Sequence, residues 1–142
     1  MHRNHRVDLP HADITDRIIG AFYDVYRELG YGFSEVVCRR ALALVLRQYG
    51  LEVAEERAIA VTFRGSIIGI FHADMVVAGV VLVGIKASST IEKYAEAQIL
   101  NYLKAAGGGV GLLLNLGREA TYKRFAMGDD PINSLPVLRS QG

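Results

Sequence analysis

Two helices are predicted in the first third of the chain, where apolar residues recur at intervals of three or four. Asp13 is placed to cap the start of the first helix, and Gly30 to end it. Ser34 can cap the second helix, which Gly50 stops. The apolar stripe of the first helix consists of Ile14, Ile18, Phe22, Val25 and Leu29. The stripe of the second consists of Val37, Ala41, Leu44 and Val45. Each stripe predicts the face that packs on the core.

The period of the pattern then changes, which predicts strands. Residues 51–63 and 67–77 form two extended segments around a tight turn at 64–66, so a hairpin is expected. A second turn at 78–79 leads into residues 80–87, whose valines are typical of a buried central strand. These three strands form a meander.

A third helix and a further strand follow the meander. The helical period returns over residues 91–106, the glycines at 107–109 break it, and residues 110–116 form a strand. Because a helix separates this strand from 80–87, the connection is expected to be a parallel, right-handed crossover. Residues 122–127 can add an edge strand. The predicted order is α-α-β-β-β-α-β, an α/β fold with a mixed central sheet flanked by helices.

The length of 142 residues predicts one domain with a single sizeable core. The predicted domain covers residues 13–127. It follows a flexible arm at residues 1–12, which shows no periodicity, and precedes a loose tail at residues 128–142.

The formal net charge is only +1, from 16 Lys and Arg against 15 Asp and Glu. No global attraction to nucleic acid or to an anionic membrane is therefore expected, and such binding would need a local basic patch. Two clusters are available, and the one on the second helix is interpreted as a solvated face. The clusters are Arg39, Arg40 and Arg47, and Arg118, Lys123 and Arg124.

The cysteine count and the longest apolar stretch of the chain predict its cellular location. A single cysteine, Cys38, rules out an internal disulfide framework and favours the reducing cytoplasm. We interpret Cys38 as a small core residue, since nothing marks it as a reactive thiolate. The longest apolar stretch is too short to cross a bilayer, so no membrane association is predicted.

Two predicted neighbouring strands carry residues with chemistry of their own. His72 and Asp74 share a face of one strand, and Gly84 and Lys86 share a face of the next. The turn between the strands brings these faces together. A carboxylate and a lysine in this arrangement can hold a divalent cation and steady an attacking water or a developing charge on phosphorus. Magnesium normally takes more than one carboxylate at such a site.

Four segments of the chain resemble the GxxExxY proteins, a branch of the PD-(D/E)XK nuclease superfamily. They are GFSE at 32–35, HAD at 72–74, GIK at 84–86 and EAQILNYL at 96–103. The resemblance implies that Asp74 is the metal-binding aspartate, Lys86 the catalytic lysine and Glu35 a second acid from the N-terminal helices. It further implies that Gln98 and Tyr102 line the site from the following helix, and that the metal is Mg²⁺ or Mn²⁺ if the protein is active.

Two positions depart from the family pattern. The D/E-x-K motif would place a carboxylate at position 84, which is glycine here, and Cys38 replaces the tyrosine that ends the GxxExxY signature. Loss of one charged ligand removes a contact worth roughly 1.5–3 kcal/mol or more. Glu35 or Glu96 is expected to supply the missing charge if any residue does. A neighbouring side chain or a ligand is expected to fill the space beside Gly84.

Two functions remain open from the sequence. The first is a catalytically impaired member of the superfamily that acts as a nucleic-acid-binding or regulatory module, and Gly84 and the near-neutral charge favour it. The alternative is an active Mg²⁺- or Mn²⁺-dependent nuclease that hydrolyses DNA or RNA phosphodiesters with Glu35 or Glu96 as the missing acid. Nucleic acid is the expected partner, and a homodimer through an exposed apolar surface is a further expectation.

Overall fold

The computed structural model describes residues 10–127. The predicted tail at 128–142 lies outside this range, as does the predicted arm except for residues 10–12. Three helices and five strands follow one another in the predicted order, with the edge strand added at the end. They are α1 (Ala12–Leu29), α2 (Glu35–Gln48), β1 (Val53–Phe63), β2 (Ser66–Val77), β3 (Val81–Lys86), α3 (Lys93–Ala105), β4 (Gly109–Leu116) and β5 (Ala120–Met127).

The strands form one mixed sheet in the order β1-β2-β3-β4-β5. The meander is confirmed, because β1, β2 and β3 pair antiparallel in sequence. The crossover through α3 makes β4 parallel to β3, with Val81 beside Val110 and Lys86 beside Asn115. β5 then pairs antiparallel with β4 and closes this edge. No helix in residues 10–127 is long and apolar enough to cross a membrane.

The two N-terminal helices begin differently. The prediction of Asp13 as the cap of α1 is wrong by two residues: His11 is the N-cap, without a side-chain hydrogen bond, and Asp13 lies in the first turn. A carboxylate there still interacts favourably with the helix dipole. The prediction for α2 is confirmed, because the Ser34 hydroxyl oxygen accepts a hydrogen bond from the Val37 amide at 3.3 Å.

The predicted buried face of α2 is right only in part, because Ala41 and Val45 are partly buried and pack against the core. Val37 and Leu44 are exposed, with 40% and 59% of their surface accessible. The buried residues of the helix are Cys38, Arg39, Leu42, Ala43 and Leu46. The helix carries two apolar rows. The buried row contains Arg39, and because arginine counts as polar, the sequence pattern favoured the other row. Cys38 is a core residue, as expected, and burial raises the pKa of its thiol.

Arg39 ties α2 to β1. It is only 7% exposed, and its Nε and Nη1 atoms donate to Glu55 and Glu56, each at 3.1 Å. Arg47 donates from Nη1 to Glu55 at 3.0 Å. The interpretation of this cluster as a solvated face is therefore wrong for Arg39, since a nearly buried guanidinium requires these carboxylates as partners.

Candidate functional site

Asp74 lies where the pairing of β2 with both neighbouring strands is interrupted. The β1–β2 ladder omits the pair of Glu56 with Asp74, and Glu56 has a left-handed backbone with φ of 52°. The β2–β3 ladder ends at Met75 and Val83. The Asp74 Oδ2 atom accepts the Ile85 amide hydrogen bond at 2.7 Å, so the carboxylate takes the place of a ladder partner. This bond fixes the carboxylate at the point where the strands separate.

A pocket of about 120 Å³ opens beside this separation. All five predicted site residues line it, so the structure brings them together. The polar side chains around it are Glu35, His72, Asp74, Lys86, Gln98 and Tyr102. His72 was left out of the predicted set, although its place two residues before Asp74 on one strand was the signal that could have included it. Ala73 lines the pocket too, so strict alternation along β2 is not kept here.

Gly84 forms part of the wall of this pocket. A Cβ atom at this position would lie 2.9 Å from Leu113 Cδ2 and 3.9 Å from Ile99 Cδ1. Leu113 is the neighbour of Gly84 in the parallel β3–β4 register. The expectation that a neighbouring side chain fills the space is thus met by Leu113, and any side chain at 84 requires that leucine to move.

Lys86 is half-buried at the end of β3. Among residues 10–127 its ammonium group forms no ion pair, so the simple Asp74–Lys86 salt bridge does not form. The Asp74 carboxylate is instead engaged by the Ile85 amide. The lysine therefore faces the pocket as a cation without a protein partner in this range, which is the state that suits binding of an anionic oxygen.

Tyr102 is fixed by an aromatic neighbour on β2. Its ring stacks on that of Phe71 with the centroids 3.7 Å apart and the planes inclined by 8°. Burial raises the pKa of the Tyr102 hydroxyl, and the charges of Tyr94 and Asp74 raise it further. Since the ordinary value is already near 10, the hydroxyl keeps its proton at neutral pH and can act as a hydrogen-bond donor in the pocket.

Among residues 10–127, Glu35 is the only acid besides Asp74 that lines the pocket. It lies in the first turn of α2 and is exposed. Glu96 does not line the pocket, and its carboxylate pairs with Lys123 on β5. Within residues 10–127, no three His, Cys, Asp or Glu side chains gather as they would around a metal ion.

The fold and the pocket together define a class: a nuclease-type α/β domain in which α2, a three-strand meander and the following helix bring two acids and a lysine into one cavity. The chain belongs to the PD-(D/E)XK nuclease superfamily, because the model of that family matches residues 12–125. No curated protein and no solved structure matches the chain.

Proposed function

We propose that this protein binds nucleic acid at the Asp74 pocket and that its hydrolysis of phosphodiesters is impaired. The observation that carries the proposal is the packing of Leu113 over Gly84, where the superfamily pattern would place a carboxylate. A cavity that is lined by Asp74, Lys86 and Glu35 supports binding at this place. Binding of a phosphate needs Lys86 more than it needs a third acid.

The residues present partly fit a divalent metal. Mg²⁺ can be held by one or two carboxylates together with substrate phosphates, and Asp74 and Glu35 are the two that would hold Mg²⁺ or Mn²⁺ here. When bound, such an ion polarises the phosphate and activates a water. The chain's own contributions are charge and orientation: Lys86 supplies a cation to a phosphate oxygen, and the Ile85 amide holds the Asp74 carboxylate in place.

A second candidate is an active metal-dependent nuclease in which Glu35 replaces the missing acid. One observation favours it: Glu35 lines the same pocket as Asp74, although it comes from a different layer of the fold. The two candidates differ in whether restoring a carboxylate at position 84 increases the rate of cleavage.

The deciding experiment restores the carboxylate and its space together. Gly84→Glu is combined with Leu113→Val, which removes the methyl group that a side chain at 84 would meet. Gly84→Gln with Leu113→Val is the matched control, with nearly the same volume but no charge. Cleavage of single- and double-stranded DNA and RNA is measured in Mg²⁺ and in Mn²⁺, beside wild type, Asp74→Ala and Glu35→Ala.

We expect the glutamate variant to cleave at least about 10-fold faster than wild type, because one charge-assisted contact is worth roughly 1.5–3 kcal/mol. The glutamine variant should stay at the wild-type level. If wild type already cleaves efficiently and Asp74→Ala and Glu35→Ala do not, the impaired function is wrong and the second candidate stands.

We also infer a homodimer, formed through the tip of the β1–β2 hairpin. The apolar side chains there expose between 52% and 64% of their surface, and exposed apolar side chains that cluster in one region mark interaction sites. These residues are Phe63, Ile67, Ile68 and Ile70. Sedimentation equilibrium should show a dimer for wild type and a monomer for Ile68→Lys, and a monomeric wild type would refute it.

Two finer assignments belong to the same proposal. We place the chain in the GxxExxY branch on the four segments that resemble it, with Cys38 as the departure from the signature. We place the protein in the cytoplasm because its single cysteine is an unpaired, buried thiol, as reducing compartments allow.

A further inference from the structure

One wall of the pocket is a stripe along α3. Gln98 and Tyr102 line the cavity, and Tyr94 precedes Gln98 by four residues. Residues at this spacing lie on the same face of a helix, about 6 Å apart along its axis. Tyr94 therefore lies on the pocket stripe one turn beyond the cavity, at its rim, and 74% of its surface is exposed.

The ring of Tyr94 is free to accept a stacking partner. Tyr102 already stacks on Phe71, whereas Tyr94 makes no ring contact with another residue in the range 10–127. The proximity of the two tyrosines is supported by the effect of the Tyr94 charge on the Tyr102 hydroxyl. An exposed aromatic ring beside a site that takes phosphate is the arrangement with which proteins hold unpaired bases.

Part of the positive charge of the chain is paired within the protein and is less available to a duplex. Non-specific affinity for a duplex comes from cations that contact phosphates. Several basic side chains instead form ion pairs with carboxylates of the protein itself. Arg39 pairs with Glu55 and Glu56, Arg47 with Glu55, Lys123 with Glu96 and Arg124 with Asp16. These four cations are therefore less available to phosphates, and stacking on an aromatic ring is a further source of affinity that this pocket offers.

We propose that the pocket takes single-stranded nucleic acid, or an unpaired end, with a phosphate at Lys86 and a flanking base stacked on Tyr94. This inference rests on the proposed nucleic-acid binding at the same site. Bases within a duplex are stacked on one another and present no free face to a side chain, so Tyr94 selects against duplex.

The test measures binding without cleavage. Fluorescent single-stranded DNA and RNA of about 12 nucleotides, within the site size of such proteins, are titrated in EDTA beside a DNA dumbbell whose duplex ends are closed by non-nucleotide linkers and therefore present no unpaired base. Tyr94→Ala is compared with Tyr94→Phe, which keeps the ring, and with Tyr31→Ala, which removes an aromatic side chain that is 58% exposed between α1 and α2.

We expect wild type and Tyr94→Phe to bind the single strands more tightly than the dumbbell. Tyr94→Ala should lose between about 5-fold and about 100-fold in affinity for single strands and little for the dumbbell. Melting temperatures should agree among the variants, because Tyr94 is mostly exposed. Tyr31→Ala should bind like wild type.

Two results would overturn the inference, and they are distinguishable. Equal affinity for single strand and dumbbell, unchanged by Tyr94→Ala, refutes stacking but leaves nucleic-acid binding at the pocket intact. Absence of binding to every oligonucleotide, together with absence of cleavage in Mg²⁺ or Mn²⁺, refutes the proposed function and this inference with it.

Discussion

The two faces of β3 differ although they alternate along one strand of six residues. Val81, Val83 and Ile85 point into the core beneath α1 and α2, where each is at most 1% exposed. Leu82 joins the core beneath α3, but Gly84 on that side carries no side chain and Lys86 carries a charge. The face beneath α1 and α2 consists of buried β-branched residues along the whole strand. The face beneath α3 has one buried apolar residue, and its other two residues line the pocket.

This difference separates stability from chemistry within one sheet. Hydrophobic burial stabilises the folded state in proportion to the apolar area that is buried. The face beneath α1 and α2 is continuously apolar, so it contributes more to folding stability than the other face. On the face beneath α3, the apolar surface is interrupted by the pocket, where Lys86 is a half-buried cation. Sites that bind charged ligands commonly lower stability in this way. The comparison predicts that changes on the two faces act on different properties.

The largest expected effect is on stability, at the center of the core beneath α1 and α2. Phe22 in α1 is 1% exposed, and Phe22→Ala should lower the free energy of unfolding by about 3–5 kcal/mol, since it removes a buried ring and leaves a cavity. Denaturant unfolding measures this. Tyr31→Ala, at an exposed position, should change it by no more than about 0.5 kcal/mol. A loss below about 1 kcal/mol for Phe22→Ala would contradict the assignment of stability to this face.

The helices and strands of the fold were predicted from the local sequence pattern, but the face of α2 that is buried was not. Ser34 caps α2 through a bond to a residue three positions away, which local sequence specifies. The buried row of α2 includes Arg39, whose partners lie 16 and 17 residues away on β1. Periodicity counts an arginine as polar, so it selected the other apolar row, with Leu44, which is exposed.

The members of the candidate site were predicted, whereas their contacts were not. The alternation along β2 and β3 and the resemblance together placed Asp74 and Lys86 in one cavity. The bond from the Ile85 amide to Asp74 depends on where two ladders end, and the packing of Leu113 over Gly84 depends on the parallel register across a helical crossover. Neither can be derived from spacing, because each is set by three-dimensional pairing.

A smaller effect on stability than that of Phe22→Ala, and of opposite sign, is expected at Lys86. Lys86→Met should raise the free energy of unfolding by a few tenths of a kcal/mol to about 1 kcal/mol, because it replaces a half-buried ammonium, which has no ion pair within residues 10–127, by an apolar chain of similar length. The same change should abolish most binding of single-stranded oligonucleotides, while Lys86→Arg, which keeps the charge, should retain much of it. Unfolding and binding are measured on the same preparations. If Lys86→Met destabilises the protein by more than about 1 kcal/mol, the lysine has a structural role in the sheet. The two faces of β3 would then not differ in the way proposed, because the face beneath α3 would contribute to stability at Lys86 as well.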